Sequence, residues 1–407
     1  PRATHCYSSA ASYVYNRQAI IHVVKRGHEH IIGTFVRRMR KGKMKSYIHS
    51  SNPSFSVKAI VKREYPELED GQIVYGHLSY VGTAIEAEIL EVIGHKDDPG
   101  IEIAQIALEY GFQTEFPMKV LEEIHFIPDY VLEEEKKDRK DFRNRLIFTI
   151  DGDDSKDFDD AVDICKNLDG SYELGVYIAD VSHYVKPNTP LDKEALKRGT
   201  SVYLADRVIP MLPHKLSNGI CSLNEHEDRL VLACLMTFSK EGKLLNYTIC
   251  EGLICSKYRM TYKKVNEILH GNSDLMKQYS DLIEPIHQMQ ELSNILRKIR
   301  TKKGALQFDI PEYKFVLDNQ GEPVDVYPIE RDQAEMMIED FMLAANETVA
   351  YHLNIMGIPA IYRVHEKPDQ EKLGEAISKL QSLGLSVHHK SKRISSMDLQ
   401  KFLDSLE

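Results

Sequence analysis

The sequence predicts an α+β protein in two parts: a small closed β-barrel of the OB type, then a larger domain mixing strands with helices. Three observations carry this. Between residues 20 and 95, short β-type segments are punctuated by Gly, Asn or Pro at about ten-residue spacing. Beyond residue 142, strand-like runs share the chain with two long stretches of helical periodicity. At 407 residues, 42% hydrophobic and 28% charged, the chain has length for two or more domains and an ordinary globular composition.

Taken in order, residues 1–19 begin without Met, carry Ser8-Ser9-Ala10-Ala11-Ser12 and are expected to form an arm outside the pattern. Residues 20–95 form the barrel, with β segments at 19–24, 31–37, 45–49, 72–78 and 84–92. Barrels of this kind bind single strands through a basic groove. The cluster Arg37, Arg38, Arg40, Lys41, Lys43 and Lys45, with Tyr47 and Phe55 nearby, is the candidate groove; a solvated basic turn is the ordinary alternative. His28 and His30 read as exposed side chains beside a turn.

Residues 96–141 read as a connector, with helical spacing at 103–110 and a short helix beginning at 117–121. The charged run at 133–141 reads as a solvated face or hinge. In the second domain, residues 142–407, a buried strand at 174–179 ends at Asp180, and strands at 230–238 and 244–250 pair across Lys240-Glu241-Gly242. A helix at 281–303 buries Ile286, Met289, Leu292, Ile295, Leu296 and Ile299 and stops at Gly304. A second, at 331–356, buries Ala334, Met337, Ile338, Phe341, Ala345 and Val349, with Glu335, Glu339, Met342 and Asn346 along another side.

The charge balance is uneven. The chain carries a formal −10, yet residues 1–60 hold eleven Lys and Arg against one acid, Glu29, leaving 41 against 61 downstream. A basic arm beside an acidic body points to a polyanion for the first and a metal for the second. No apolar run is long enough to span a membrane and no signal-peptide pattern opens the chain. Cys6, Cys165, Cys221, Cys234, Cys250 and Cys255 show no CxxC or framework spacing, which fits reduced thiols in a cytoplasmic protein.

The chemistry concentrates at Thr149-Ile150-Asp151-Gly152-Asp153-Asp154-Ser155-Lys156-Asp157-Phe158-Asp159-Asp160-Ala161-Val162. Six carboxylates fall within ten residues, between two apolar edges. Their repulsion is relieved only by a cation, and a hard divalent ion takes carboxylate oxygen together with water and phosphate. A calcium loop of the EF-hand type fails on spacing. Counted from Asp151, Lys156 stands where Gly is needed and Val162 where a bidentate Glu is needed; counted from Asp153, Phe158 and Ile164 fail likewise.

The stretch also resembles a known signature. Asp151, Asp157, Asp159 and Asp160 stand at relative positions one, seven, nine and ten, as in the RNB domain of the ribonuclease II and ribonuclease R family. The likeness continues through Tyr203-Leu204, Val208-Ile209-Pro210-Met211-Leu212-Pro213, Leu216-Ser217, Cys221-Ser222-Leu223, Met342-Leu343-Ala344-Ala345-Asn346 and Tyr362-Arg363-Val364-His365-Glu366. With Gly94-His95-Lys96-Asp97-Asp98-Pro99-Gly100 ahead of it, the pattern is similar to the ribonuclease R branch over residues 20–407. The barrel then resembles a cold-shock domain.

That resemblance implies a 3′→5′ exoribonuclease that hydrolyses single-stranded RNA processively to 5′-monophosphates by two-metal chemistry. The cofactor it implies is Mg²⁺, with Mn²⁺ as substitute. Asp151, Asp157, Asp159 and Asp160 are the implied ligands, with Asp159 closest to the chemical step and Asp157 on the phosphate side. Asp153 and Asp154 fall outside the matching positions. Tyr203 matches the aromatic that stacks on the 3′-terminal nucleotide, Phe308 the ring facing it, Tyr262 a further channel aromatic and Glu339 a carboxylate at the penultimate nucleotides. Arg37, Arg38 and Arg40 are the RNA contacts expected of the barrel. The family's catalytic domain runs on into a Ser-Pro-Ile-Arg-type motif and an S1 domain, which do not occur before Glu407. A catalytic domain truncated at its C-terminal side is therefore expected, in a monomer with no membrane association. The alternative is an RNA-binding scaffold of the same fold that lacks turnover.

Overall fold

The computed structural model describes residues 27–40, 42–50, 52, 57–82, 84–305, 312–318, 321–329, 331–364, 369–382, 384 and 400. Along the chain run β1 (His30–Arg40), β2 (Lys43–Ser50), β3 (Lys58–Val61), β4 (Gln72–Val81), β5 (Ala84–His95), α1 (Ile101–Glu109), α2 (Met118–His125), β6 (Lys140–Asp141), β7 (Phe148–Asp151), β8 (Asp160–Lys166), β9 (Tyr172–Ala179), α3 (Val181–Tyr184) and α4 (Pro190–Arg198). Then follow β10 (Val202–Tyr203), β11 (Val208–Ile209), β12 (Asp228–Phe238), β13 (Leu244–Cys255), β14 (Tyr258–Thr261), α5 (Tyr262–Leu269), α6 (Ser273–Gln278), α7 (Ile283–Lys302), β15 (Glu312–Leu317), β16 (Pro323–Ile329), α8 (Gln333–Ile355) and α9 (Gln370–Ser382). Two compact units divide the described residues. One takes those within Pro1–Phe116, Arg198–Met211 and Lys314–Tyr327, the other those within Pro117–Lys197, Leu212–Tyr313 and Pro328–Glu407.

In the first unit, β1 to β5 close into a barrel in the order β1-β2-β3-β5-β4. Its inward positions carry Phe35, Ile48, Val74 and Ala87, all fully buried. The barrel is the OB-type element that the turn spacing predicts, and the strands expected at 31–37, 45–49, 72–78 and 84–92 are present and longer. The strand expected at 19–24 lies outside the described residues. The fifth described strand of the barrel is β3, which pairs antiparallel with β2 and parallel with β5. At four residues, Lys58-Ala59-Ile60-Val61 is too short to show a period. The exposed Tyr203 sits on the β10–β11 hairpin, level with Val208.

The second unit is built on a seven-stranded sheet, β14-β7-β8-β9-β12-β13-β6, mixed because β14 runs parallel to β7 and β6 parallel to β13. Alternation along its strands supplies two cores. Phe148, Ile150, Val162, Leu174, Val176, Cys234 and Met236 face α5, α7 and α8, whose Ile286, Met289, Leu292, Met337 and Phe341 cover them. Ile147, Phe158, Ala161, Tyr177, Val231, Ala233 and Ile254 form the core on the other face. Burying their apolar stripes against the first of these faces is what makes both long helices stable here. Both stand where the periodicity puts them, and α8 starts with a capping box between Asp332 and Glu335.

The charged run at 133–141 is mostly exposed, as a solvated face should be, but three of its side chains are tied to distant partners. Arg139, 5% exposed, donates to Asp180, 4% exposed, at 2.6 Å. Glu135 meets His183 Nε2 at 2.8 Å, and Lys136 meets Asp228 at 2.9 Å. Lys140 and Asp141 then add β6 to the sheet beside Gly252 and Leu253. The charges are balanced by residues 41 to 92 positions away, which no local pattern reveals. The five described cysteines are free. Among the described residues, no helix is long and apolar enough to cross a membrane.

Candidate active site

The aspartates occupy the turn that carries the chain from β7 to β8. Asp151 ends β7 and accepts hydrogen bonds from the Gly152 amide at 2.7 Å and Ser155 Oγ at 2.6 Å, which folds the chain back. Residues 152–159 have neither helical nor strand conformation, and residues elsewhere in the unit hold them. The Leu223 amide donates to Phe158 O at 2.7 Å and the Ala179 amide to Asp159 O at 2.9 Å. Ser222 Oγ accepts from the Phe158 amide at 3.0 Å and lies 3.0 Å from the Lys156 carbonyl. Arg259 donates to the carbonyls of Asp153 and Ser155 at 3.0 and 3.1 Å, and its guanidinium lies 5.0 Å from the Phe158 ring centre. Asp160 opens β8 opposite Ile178.

Alongside, β14 brings Thr261 level with Asp151. Thr261 caps α5 by accepting from the Lys264 amide at 3.3 Å, and Tyr262 is the first residue of that helix. Asn266, one turn on, donates to Glu335 at 3.1 Å and accepts from the Ala334 amide at 2.8 Å, tying α5 to the start of α8.

The electrostatics of this corner are those of crowded negative charge. Burial, with Asp159 and Asp151 close by, pushes the Asp160 carboxyl up to about 7. Partial desolvation, followed by Asp151 and Asp157, also raises Asp159, although its side chain is open at the rim. Burial and the nearby Asp151 and Asp160 push the Tyr262 hydroxyl up to about 12, so it keeps its proton at neutral pH. Asp160 Oδ2 is buried with no hydrogen-bond partner. A buried carboxylate oxygen left unsatisfied beside other acids is costly, and a hard cation is the natural partner for it. In donor chemistry the four aspartates therefore fit a divalent ion. Among the described residues, no three His, Cys, Asp or Glu side chains converge closely enough to hold an ion as they stand.

Of the residues singled out in the sequence, Asp151, Asp157, Asp159, Asp160 and Tyr262 come together in this corner. Asp153 and Asp154 are exposed. Glu339 lies on α8, paired with Arg331 and 3.8 Å from Arg300. Phe308, Phe55, Lys41 and the Arg40 side chain lie outside the described residues.

On the barrel, β1 and β2 set Arg38 opposite Lys45 and Arg40 opposite Lys43. Burial, then Lys58 and Arg38, lowers the His49 imidazole pKa. Like charges placed across strands repel, so this face gains from a bound polyanion. Arg37 points elsewhere, donating to the carbonyls of Tyr65 at 2.8 Å and Pro66 at 3.4 Å. Sequence reasoning attached no role to Ser222, Arg259 or Asn266, whose partners lie 64 to 106 residues away. For Ser222 the one available signal was its place in Cys221-Ser222-Leu223.

Comparison with known proteins agrees with the fold. Residues 139–407 match the model of the RNB domain and residues 47–117 that of a cold shock domain. Ribonuclease R 1 of Lactococcus lactis is 38% identical over 95% of the chain and 49% of its own length. Ribonuclease R of Thermotoga maritima is 40% identical over 96% of the chain and 55% of its own length. The chain thus spans about half the length of these relatives. RNase R of Mycoplasma genitalium, solved in complex with ribose-methylated single-stranded RNA, superposes with a TM-score of 0.88 at 28% identity, over 95% of this chain and 61% of that one.

Proposed function

We propose a function from one premise: the chain belongs to the RNB-domain family, and ribonuclease R proteins are its relatives. On our reading it is the RNA-binding and catalytic part of a 3′→5′ exoribonuclease that degrades single-stranded RNA processively to 5′-monophosphates. The observation that carries this is the gathering of Asp151, Asp157, Asp159 and Asp160 in one turn, where Asp160 keeps a buried oxygen without a partner. Asp151, Asp157, Asp159 and Asp160 would hold Mg²⁺, or Mn²⁺ in its place. Two such ions, when bound, supply an activated water, relief of phosphate charge and a stabilised leaving oxygen.

The protein's own groups do the rest. Asp159, open at the rim, orients the attacking water in line with the P–O3′ bond. The water oxygen bonds to phosphorus, the P–O3′ bond breaks, and the water's proton ends on O3′, leaving a 5′-monophosphate and a chain shorter by one nucleotide. Tyr262 keeps its hydroxyl proton beside the acids and offers it to a phosphate oxygen. Tyr203 stacks on the terminal base, Glu339 touches the nucleotides behind it, and the cross-strand cations of β1 and β2 draw the RNA backbone in.

The test is Asp159→Asn in the full-length protein, with 5′-labelled oligo(A) in the presence and absence of Mg²⁺. Cleavage should fall at least a thousandfold while RNA affinity stays within about twofold, because stacking and phosphate contacts are untouched. Substantial turnover by the variant would remove Asp159 from the chemistry. A parent protein that binds RNA but never cuts it with Mg²⁺ would instead be a binding scaffold.

A further inference from the structure

The aspartate turn has no regular secondary structure of its own, yet its side chains must be placed closely for any shared ligand. The backbone on both sides of Asp157 is fixed by one hydroxyl. Ser222 Oγ accepts from the Phe158 amide at 3.0 Å and donates to the Lys156 carbonyl at 3.0 Å, with Asn224 Oδ1 at 3.2 Å as its other acceptor. Ser222 is fully buried. It is held from behind, because the Arg229 guanidinium, 3% exposed, donates to the Ser222 carbonyl at 2.7 Å. The next amide, Leu223, donates to Phe158 O at 2.7 Å. Two successive residues thus grip three backbone groups of the turn, one before Asp157 and two after it.

We infer that Ser222 is a positioning residue for the reaction: its hydroxyl sets the spacing of Asp157 and Asp159 by bridging the peptide groups around Asp157. The inference rests on the proposed metal-dependent activity. Oγ is the only atom of the side chain that can both donate and accept; its bond from the Phe158 amide is buried and its bond to the Lys156 carbonyl part-buried. Without it, the Lys156 carbonyl and Phe158 amide must find other partners, and the turn shifts to let them. A displacement of about 1 Å at a ligating carboxylate is enough to cost a hundredfold in rate.

The experiment compares the full-length protein with Ser222→Ala and Ser222→Thr. Two readouts are taken well below the melting temperature: Mn²⁺ binding without RNA, followed by electron paramagnetic resonance, and steady-state cleavage of oligo(A). Ser222→Ala should weaken Mn²⁺ at least fivefold and lower kcat tenfold to a hundredfold with KM within twofold. Ser222→Thr, which keeps the hydroxyl, should recover most of both. Should Ser222→Ala fail to fold, Ser222→Cys leaves no cavity, weakens both hydrogen bonds and gives the same readouts in milder form. A merely structural serine predicts a lower melting temperature with Mn²⁺ affinity and kcat unchanged, and that result overturns the inference. A parent protein that neither binds Mn²⁺ nor cuts RNA removes the metal-site reading and this inference with it.

Discussion

The carboxylate of Asp163 stands where a side chain at Gly175 would begin. A Cβ at 175 would lie 2.0 Å from Asp163 Oδ1 and 2.7 Å from Tyr177 Oη. The two residues are cross-strand partners on β8 and β9. Asp163 accepts from Tyr177 Oη at 3.1 Å and pairs with Arg145, which also holds Glu173 at 2.9 Å. A buried acid survives in the sheet only while all of these partners keep their places. Gly175→Ala should therefore destabilise the protein by about 2–4 kcal/mol, through overpacking and a disturbed ion pair. A urea melt measures this as a lower midpoint at unchanged slope. An unchanged midpoint would mean that Asp163 can move freely.

Asp160 supplies a test of the cation that does not depend on cleavage. In the metal-free protein its buried, unpartnered oxygen sits among other acids at a cost. Asp160→Asn should raise stability in EDTA by about 1–3 kcal/mol, by removing a crowded charge. It should also abolish the gain that Mg²⁺ gives the parent, since a ligand that binds only the folded state raises its melting temperature. Calorimetry with and without Mg²⁺ decides. A parent whose melting ignores both Mg²⁺ and Mn²⁺ would speak against the site.

The barrel separates two kinds of arginine. Arg38→Ala with Lys45→Ala removes one cross-strand cation pair. It should weaken RNA binding for every sequence and reduce the slope of log K on log salt by roughly 1 to 1.5. Arg37→Ala should leave that slope alone and lower the melting temperature, because its guanidinium holds the Tyr65 and Pro66 carbonyls. Equal salt slopes for both variants would return the hairpin to a solvated turn.

Tyr203 is 66% exposed, so its ring is not part of the packed core. If it grips the terminal base, the grip is worth roughly 1–3 kcal/mol, a large share of the affinity of a short end product. Tyr203→Ala in the full-length enzyme should release longer limit products with no change in melting temperature. Gel analysis of end products beside a thermal melt checks both. Unchanged product length would take Tyr203 out of the RNA site.

What the sequence made legible was whatever repeats locally. The 3.6-residue stripe of α8, from Ala334 to Ala345, and the apolar run of β9 could be read directly, and so could the four aspartates, which lie within ten residues of one another. Elements set by partners far along the chain were hidden. β3 is too short for a period and takes its place from β2 and β5. Arg139 reads as one more charge in a charged run until Asp180 is seen beside it. Asp340, fully buried on α8, looked like another polar residue of a helix; in the fold it accepts from Ser293 at 2.7 Å, Arg297 at 2.8 Å and Arg300 at 2.7 Å. Arg259 cannot be read as part of the site, and Ser222 only through Cys221-Ser222-Leu223, because their contacts are a matter of distance, not of spacing.

The parallel pairing of β14 with β7 also has a consequence for the newborn chain. The aspartate turn leaves the ribosome about a hundred residues before Arg259, Thr261 and Tyr262, and some sixty before Ser222. At roughly 5–20 residues per second, that is an interval of about 5–20 s. During it the turn has only its local bonds to Asp151 and the Ala179 amide on Asp159 O, without those of Ser222 and Arg259. The turn therefore gains its full set of contacts only after β14 has been made.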